Sequence, residues 1–390
     1  MDYFEESLKL HERHHGKIEI KSKVEINTRE DLSLAYSPGV AEPCRKIHAN
    51  EDDVFKYTSK GDMVAVVTDG TAVLGLGDIG PKAGLPVMEG KCILFKEFGG
   101  VNAFPICLDT KDPDEIVTAV KWIAPGFGGI NLEDISAPRC FEIEERLKKE
   151  LDIPVFHDDQ HGTAIVVLAG IFNALKLVKK DIKDIKVVVN GAGAAGTSIA
   201  RLLIECGVSE LIACDRVGIL YEGIEGVDPA KQALAKITNP NHIKGNLSDA
   251  LKGADVFIGV SAPGIVSKEM VRSMNKDSIL FAMANPIPEI MPDLAKEAGA
   301  RIIGTGRSDF PNQVNNVLVF PGLFKGALAV RAREINEKMK IAAAYAIASM
   351  IPDEKLEDDY ILPNTLDKKV AENVAEAVKK AARESGAARI

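Results

Sequence analysis

The chain has 390 residues, a length typical of about two to three domains. It carries 48 lysines and arginines against 57 aspartates and glutamates, a net charge of −9, which argues against the positive surface that nucleic-acid binding requires. Hydrophobic residues make up 46% and charged residues 27%, the balance of a globular protein rather than a disordered one. We therefore expect no nucleic-acid partner.

The termini and the cysteines indicate the compartment. The first residues are acidic and polar and lack the apolar stretch of a signal peptide, and the longest apolar run, residues 164–172, is about half of what a bilayer requires. Six cysteines, at positions 44, 92, 107, 140, 206 and 214, show no C-x-x-C spacing and no cluster with histidine, so neither a disulfide framework nor a zinc site is expected. These features predict a cytoplasmic protein without a membrane partner.

Short apolar runs alternate with helical patterns along the chain, which predicts an α/β protein with parallel sheets covered by helices. In the first part we expect a glycine-rich loop at residues 69–80 and helices at 87–98, 112–123 and 136–150. We expect strands at 64–68, 103–108 and 154–156, and a short strand that residues 128–131 lead into and that ends at residues 133–134. We assign residues 1–159 to a first domain.

The second part, residues 160–390, has the pattern of a doubly wound, Rossmann-type domain with a helical C-terminal tail. We expect helices at 162–178 and 194–206, strands at 186–190, 210–214, 255–260 and 278–284, and a mostly helical tail from about residue 322 that is broken by an acidic loop at 352–367. We expect a cleft between the two domains.

A dinucleotide fingerprint is the clearest local motif. It follows an apolar strand, opens a helix, and consists of Gly191, Ala192, Gly193, Ala194 and Gly196. The first glycine allows the tight turn, the second lets the backbone approach the pyrophosphate, and the third lets the helix pack close to the strand. The alternative is the same turn in a sheet that binds no cofactor.

Two neighbouring residues bear on which dinucleotide binds. Asp215 lies 19 residues after Gly196 at the end of the next strand, where an acid meets the ribose hydroxyls and repels a 2′-phosphate, which favours NAD. Arg216 beside it has the charge to face that phosphate, which favours NADP. The sequence leaves both cofactors open.

Two acidic pairs stand directly after short apolar strands: Glu133 with Asp134, and Asp158 with Asp159. Ligands of open α/β sheets bind beyond the carboxyl ends of the strands. Carboxylates gathered there repel each other, and a hard cation such as Mg²⁺ or Mn²⁺ relieves that repulsion through oxygen ligands. The alternative is that they are solvated turn residues and helix caps.

Several single residues add to this constellation. Tyr36 lies in a turn, and Lys91 lies on an otherwise apolar helix, where a lysine either extends to water or, held near a metal, serves as a base. Asn285 and the pair Asn315-Asn316 end apolar runs, where asparagines also serve as caps or turn residues.

Taken in order, these motifs resemble those of the malic enzymes of the small bacterial and archaeal type. The resemblance covers nearly the whole chain and is carried by LAYSPGV (34–40), VTDG (67–70), LGLGDIG (74–80), LPVMEGK (85–91), NLED (131–134), FHDDQHGT (156–163), NP (285–286), NNVLVFPG (315–322) and ILPN (361–364).

The resemblance implies oxidative decarboxylation of L-malate to pyruvate and CO₂ with reduction of NAD⁺ or NADP⁺, and decarboxylation of oxaloacetate. It implies that Glu133, Asp134 and Asp159 bind Mg²⁺ or Mn²⁺. It implies that Lys91 accepts the proton of the C2 hydroxyl, that Asp158 tunes the protonation of Lys91, and that Tyr36 helps to protonate C3. Asn285 and Asn316 are then expected to orient the substrate or the nicotinamide. It also implies a homodimer or a higher homo-oligomer.

The chain departs from the family at one point. The large malic enzymes carry a substrate-binding arginine in the glycine-rich loop, but residues 70–73 of this chain are Gly-Thr-Ala-Val. We expect another basic residue, from elsewhere in the chain or from a second subunit, to take its place. The absence also keeps open a dehydrogenase of another metal-chelating 2-hydroxy acid, such as tartrate. A nucleotide-binding relative without catalysis is the third hypothesis.

Overall fold

The computed structural model describes residues 2–73 and 75–390; Leu74, part of the glycine-rich loop, lies outside the described residues, as does Met1. The chain begins with four surface helices, α1 (Tyr3–His14), α2 (Arg29–Ala35), α3 (Ala41–Ala49) and α4 (Val54–Tyr57). The Asp2 side chain caps α1, and Thr28 and Asp31 form a capping box at α2. None of the described residues in these four helices is buried.

The first sheet is parallel, with the strand order β2-β1-β3-β4. Its elements are β1 (Met63–Thr68), α5 (Pro81–Leu94), β2 (Asn102–Cys107), α6 (Pro113–Ile123), β3 (Gly129–Leu132), α7 (Arg139–Glu150) and β4 (Val155–His157). The alternating side chains of β1 are fully buried on both faces, Val64 and Val66 in one core and Ala65 and Val67 in another. The four strands expected here are confirmed to within two residues.

Two helices of this domain begin at other residues than expected. Helix α7 begins at Arg139, three residues after the expected start at 136, with Pro138 at its N-cap. Helix α5 begins at Pro81, not at residue 87, and a turn of π-helix, Phe95–Gly99, follows it. Gly84 and Pro86 made residues 81–86 look like a loop, but Pro81 suits the first helical position, and Gly84 is buried against Val73. Tertiary packing overrides weak local propensity at this point.

A long helix, α8 (Asp158–Val178), leads directly from β4 into the second domain. We expected it to begin at Gly162, but it begins four residues earlier. Gly162 lies within its first turns, where a Cβ would stand 2.1 Å from Asp158 Oδ1. Among the described residues, α8 is the one helix long and apolar enough to cross a membrane, and 72% of its most apolar stretch is buried inside the protein, as in a core helix.

The second sheet has the order β10-β9-β8-β5-β6-β7 and is parallel except for β7. Its elements are β5 (Lys186–Asn190), α9 (Ala194–Glu205), β6 (Glu210–Asp215), β7 (Gly218–Ile219), α10 (Pro229–Ile237), α11 (Leu247–Leu251), β8 (Val256–Gly259), α12 (Lys268–Arg272), β9 (Ile279–Ala282), α13 (Pro292–Glu297) and β10 (Ile302–Thr305). This confirms the doubly wound domain. The strand order reverses between β5 and β8, which places the ligand crevice at their carboxyl ends.

Three helices close the chain: α14 (Phe320–Ala329), α15 (Glu337–Ala348) and α16 (Lys369–Glu384). They pack against the first domain as well as the second. Phe320 and Phe324 of α14 lie 4.7 and 5.3 Å from the ring of Phe95, and Phe324 lies 5.9 Å from Phe156 of β4. One continuous core therefore joins the two sheets. The domain boundary at residue 159 stays a prediction.

Candidate active site

The carboxyl ends of β3 and β4 bring three acids together. Ligand oxygens of Glu133, Asp134 and Asp159 lie within 4.8 Å of one another. The Asp134 backbone N–H donates to Asp159 Oδ2 at 2.8 Å, and its carbonyl accepts from Ala72 N–H at 2.9 Å. These bonds hold Asp134 in the left-handed region, at φ 54°. A compact set of carboxylate oxygens fits a hard divalent cation such as Mg²⁺ or Mn²⁺.

Lys91 lies beside this cluster and points into it from α5. Its ammonium group is 2.7 Å from Asp158 Oδ2 and 2.9 Å from Glu133 Oε1, and it lies 4.3 Å above the centre of the Phe320 ring. The side chain is only 8% exposed. The alternative that Lys91 extends to water is therefore wrong, because its charge is buried between two carboxylates.

Burial and charge pull the pKa values of these groups in opposite directions. Burial lowers the pKa of Lys91, but Asp158 and Glu133 together raise it above its ordinary value. Burial raises the pKa of Asp158 to about 6 against the opposing effect of Lys91, and it also raises the pKa of Glu133. The site thus holds a lysine and two carboxyl groups, all buried and all with shifted pKa values, a pattern typical of functional sites.

The two adjacent asparagines of the C-terminal motif have different roles. Asn316 Nδ2 donates to Asp158 Oδ2, so Asn316 faces the site. Asn315 turns away and caps the short helix that follows, accepting from Val317 N–H at 3.0 Å. The sequence did not distinguish the two asparagines, and the structure places Asn316 at the site.

The glycine-rich loop after β1 is fixed by a buried ion pair. Asp69 is fully buried and pairs with Arg139 at 3.1 Å, and it also accepts from Thr71 N–H and Oγ1. Gly70, at φ 70°, lies so close to Gly80 that a Cβ would stand 2.3 Å from its carbonyl carbon. Arg139 therefore braces the loop that lacks the family's arginine.

Behind the acids lies a second buried polar network. His161 Nε2 lies 2.9 Å from Glu144 Oε2, and its Nδ1 lies 3.0 Å from Lys340 Nζ and 2.9 Å from Ser198 Oγ. Glu144 Oε1 accepts from the backbone N–H of His157, the residue before Asp158. Burial lowers the pKa of His161 to about 4, opposed by Glu144 and assisted by the Lys340 charge. The network connects β4 to α7, α9 and α15.

The dinucleotide fingerprint has the geometry that its glycines predict. A Cβ on Gly191 would stand 2.4 Å from Val260 O, and one on Gly196 would stand 1.8 Å from Gly191 O. A Cβ on Gly193 would meet nothing within 4 Å, which leaves the backbone open to a ligand. Ala192 is buried, and Ala194 begins α9. The N-terminus of α9 thus opens at the crevice beside β5.

Asp215 ends β6 as expected, but it is paired with a lysine that the sequence did not single out. Lys231 Nζ of α10 lies 2.7 Å from Asp215 Oδ2, and this bond raises the pKa of Lys231. Arg216 is exposed. No motif connects positions 215 and 231, so only the fold shows their proximity.

Two predicted site residues lie apart from the Lys91 cluster. Asn285 is exposed at the end of β9, with its carbonyl beside Gly75 of the glycine-rich loop, where a Cβ would stand 3.2 Å away. Tyr36 ends α2 and is 69% exposed. No hydrogen bond within the described part of the chain connects the Tyr36 hydroxyl to Lys91 or to the acids.

Comparison with known proteins agrees with this arrangement. Residues 15–148 match the model of the malic enzyme N-terminal domain, and residues 160–383 match the malic enzyme NAD-binding domain. The chain is 62% identical to the bifunctional malic/malolactic enzyme of Bacillus subtilis (strain 168), over 100% of this chain and 95% of that protein. It is 60% identical to the NAD-dependent malic enzyme of Geobacillus stearothermophilus, over 96% of this chain and 78% of that one.

A solved structure is similar across both domains. The malic enzyme of Pyrococcus horikoshii superposes with a TM-score of 0.96 at 51% identity, covering 99% of this chain and 92% of that one. The two matched domain models leave few residues of this chain uncovered. The chain belongs to the malic enzyme family and is an NAD(P)-dependent, decarboxylating malate dehydrogenase.

Proposed function

We propose that Lys91 is the base that accepts the proton of the C2 hydroxyl of L-malate. The observation that carries this proposal is the position of its buried ammonium group, 2.7 Å from Asp158 and 2.9 Å from Glu133, beside three acids with metal-ligand spacing. With both carboxylates beside it, Lys91 is an ammonium group, because their charges raise its pKa. It can accept the hydroxyl proton only as a neutral amine, and a cation that bound Glu133 would lower the pKa of Lys91 toward that form.

The three acids Glu133, Asp134 and Asp159 would hold Mg²⁺ or Mn²⁺. When bound, the cation would supply Lewis-acid stabilisation of negative charge on the C2 oxygen and compete with Lys91 for Glu133. Asp158 remains hydrogen-bonded to Lys91 and is the group that tunes its protonation. Asn316 donates to Asp158 Oδ2, the same carboxylate oxygen that accepts from Lys91. Asn285, exposed at the crevice, orients the substrate or the nicotinamide.

Tyr36 belongs to a surface that points to a second copy of the chain. The first 40 residues expose a large set of apolar side chains: Tyr3, Phe4, Leu8, Leu10, Ile20, Val24, Ile26, Leu32, Leu34, Tyr36 and Val40. So much exposed apolar surface is typical of an interface. We propose that the chain is a homodimer through this segment, that Tyr36 of one subunit completes the site of the other, and that a basic residue of the segment replaces the missing arginine.

NAD is the proposed cofactor. Asp215 stands where it meets the ribose hydroxyls of the adenosine, and its charge disfavours a 2′-phosphate. Lys231 and Arg216 offset part of that charge, so we expect NADP to be used more weakly than NAD. The six cysteines, all free, support a cytoplasmic location.

The first experiment is reduction of NAD⁺ and of NADP⁺ by L-malate with Mn²⁺ and with excess chelator, followed by a pyruvate assay. Metal-dependent reduction matched mole for mole by pyruvate supports the proposed chemistry. Asp159→Asn should weaken Mn²⁺ binding at least about tenfold while NAD⁺ binding is kept. Decarboxylation of added oxaloacetate is measured in the same assays. Reduction that persists in chelator would rule out the metal role of the three acids.

The shared site has a separate test. Tyr36→Phe and Lys91→Met are each prepared, and their subunits are exchanged. If the two residues act from different subunits, random dimers regain about a quarter of wild-type activity, because half are mixed and each mixed dimer has one intact site. If they act within one subunit, no activity returns.

A second candidate activity rests on the Bacillus relative, whose name includes a malolactic activity. Pyruvate that stays bound next to reduced cofactor is reduced to lactate, so malate yields lactate and CO₂ with no net change in cofactor. We test this by measuring lactate with NAD⁺ far below malate. Lactate in excess of the NAD⁺ supplied supports the activity, and its absence removes it.

A further inference from the structure

A buried glutamate lies at the carboxyl edge of the second sheet, outside the residues discussed above. Glu289 is completely buried, and no lysine, arginine or histidine of the described chain lies within ion-pair distance of its carboxylate. Burying a carboxylate away from any cation is costly unless hydrogen bonds compensate for it. The positions of the groups that donate hydrogen bonds to the Glu289 carboxylate therefore indicate its role.

All three donors belong to the loops that follow β8 and β9. Glu289 Oε1 accepts from the Ser261 backbone N–H at 2.8 Å and from its hydroxyl at 3.0 Å, and Oε2 accepts from Ala284 N–H at 3.0 Å. Ser261 is the second residue after β8, and Ala284 immediately precedes Asn285. One carboxylate thus ties together the two loops at the crevice.

The connection extends to the dinucleotide fingerprint. Asn190, the last residue of β5, donates from Nδ2 to Ser261 Oγ at 2.7 Å and precedes Gly191. The Gly191 turn packs against Val260, the residue before Ser261. A chain of hydrogen bonds, Asn190–Ser261–Glu289–Ala284, therefore crosses the ends of three strands.

The neighbouring backbone accommodates this carboxylate specifically. A Cβ on Gly259, the last residue of β8, would stand 2.4 Å from Glu289 Cδ. The Glu289 carbonyl accepts from Val266 N–H at 3.0 Å, and the Pro288 carbonyl accepts from Gly264 N–H at 3.1 Å. Both sides of the Ser261 loop are thus fastened to the segment that carries Glu289.

We propose that Glu289 is a positioning residue for dinucleotide and malate binding: its carboxylate sets the relative position of the Ser261 loop, the Gly191 turn and Asn285. It contacts neither ligand and acts through backbone N–H groups. The two carboxyl oxygens accept from all three donors, whereas an amide would turn its NH₂ group against a backbone N–H. Glutamine at this position has the right shape but leaves one loop unfastened.

The chain provides a matched control at the opposite edge of the same sheet. Asp255, 7% exposed, stands just before β8 and accepts from Lys186 N–H at 2.9 Å, from Asn275 and from Lys180. Asp255→Asn likewise replaces a carboxylate that accepts a backbone N–H by an amide, and it also removes the ion pair with Lys180, at the edge where dinucleotides do not bind. A purely structural role predicts equal consequences for the two variants.

The test compares Glu289→Gln and Asp255→Asn with wild type in three measurements: NAD⁺ dissociation constant by calorimetry, KM for malate against kcat, and amide hydrogen exchange over residues 255–292. We expect Glu289→Gln to raise the NAD⁺ dissociation constant about tenfold, the equivalent of one lost charge-assisted bond, and to accelerate exchange at Ser261 and Ala284. Asp255→Asn should leave both NAD⁺ binding and KM within twofold while lowering thermal stability.

Equal NAD⁺ affinity in Glu289→Gln and wild type would overturn the proposal, whatever happens to stability. Ser261→Ala, which removes one hydroxyl donor and keeps both backbone bonds, provides the test if the glutamine variant does not fold. It should weaken NAD⁺ binding about threefold, in the same direction. An unchanged dissociation constant in Ser261→Ala would likewise contradict the proposal.

Discussion

Neutral His161 at the centre of the buried network makes the protein sensitive to acid. Lys340 and Ser198 face its Nδ1, and Glu144 faces its Nε2. Protonation would place a second positive charge in a buried site and a new N–H against the Lys340 ammonium group. The folded protein therefore resists protonation until the pH approaches the depressed pKa of about 4.

The sign and the size of the effect follow from the two pKa values. An unfolded histidine has a pKa of about 6.5, so between pH 6.5 and pH 4 the unfolded chain binds a proton that the folded chain does not. The free energy of unfolding therefore falls as the pH is lowered through this window. Between pH 7 and pH 5, this single group lowers the free energy of unfolding by about 2 kcal/mol.

The assay is urea unfolding at pH 7 and pH 5, followed by circular dichroism, for wild type and His161→Gln. Glutamine can donate to Glu144 and accept from Lys340, but it does not titrate. We expect the loss of unfolding free energy between the two pH values to be about 2 kcal/mol smaller in the variant. His48→Gln, at an exposed position, is the control and should behave as wild type. An identical pH dependence in wild type and His161→Gln would refute the reasoning.

Three further predictions concern the site. Lys91→Met should lower kcat for malate oxidation at least about a thousandfold, because the base is lost. The NAD⁺ dissociation constant, measured by calorimetry, should stay within twofold of wild type. A kcat above a tenth of wild type would show that Lys91 is not the base. Gly193→Ala should keep the wild-type melting temperature and weaken NAD⁺ binding, because the added Cβ meets no protein atom and enters the space of the ligand. Gly196→Ala should lower the free energy of unfolding in urea by about 4 kcal/mol or more, because its Cβ would lie 1.8 Å from Gly191 O. Unchanged NAD⁺ affinity in Gly193→Ala would contradict the proposed pyrophosphate contact. Asp215→Ser should shift the ratio of kcat/KM for NAD⁺ over NADP⁺ toward NADP⁺ at least about tenfold, because it removes the charge that repels a 2′-phosphate and leaves Lys231 paired with Asp228 alone. A ratio that does not change would place that discrimination elsewhere.

Local signals in the sequence were sufficient to predict the strands of both sheets and the clustering of the acids. The apolar runs predicted the strands, and acids that directly follow parallel strands must meet at one edge, which is how Glu133 and Asp159 come together. The close contacts of Gly191 and Gly196 fit the tight turn and the helix packing expected of them, and the approach of the pyrophosphate to Gly193 stays a prediction. The start of α8 was misplaced because Gly162 looks like a helix boundary, although it is needed for a close contact inside the helix.

Contacts between residues that are far apart in the chain could not be predicted from local sequence patterns. His161 and Lys340 are 179 residues apart, and Lys340 belongs to a helix whose pattern suggested only a tail. Glu289 resembles any acid in a proline-containing loop until the fold places two backbone N–H groups against it. Lys231 has no motif that connects it to Asp215. In each case, the partner is determined by the crossing of elements that lie far apart in sequence.

Helix α14 of the second domain packs Phe320 and Phe324 against Phe95 and Phe156 of the first domain. Residues 1–159 made alone would therefore expose an aromatic surface to water, and residues 160–390 would expose its counterpart. When the two fragments are produced together, we expect them to associate through these complementary surfaces. An enzyme divided at this point would work as a split reporter, whose malate-dependent NADH signal appears only when its halves meet.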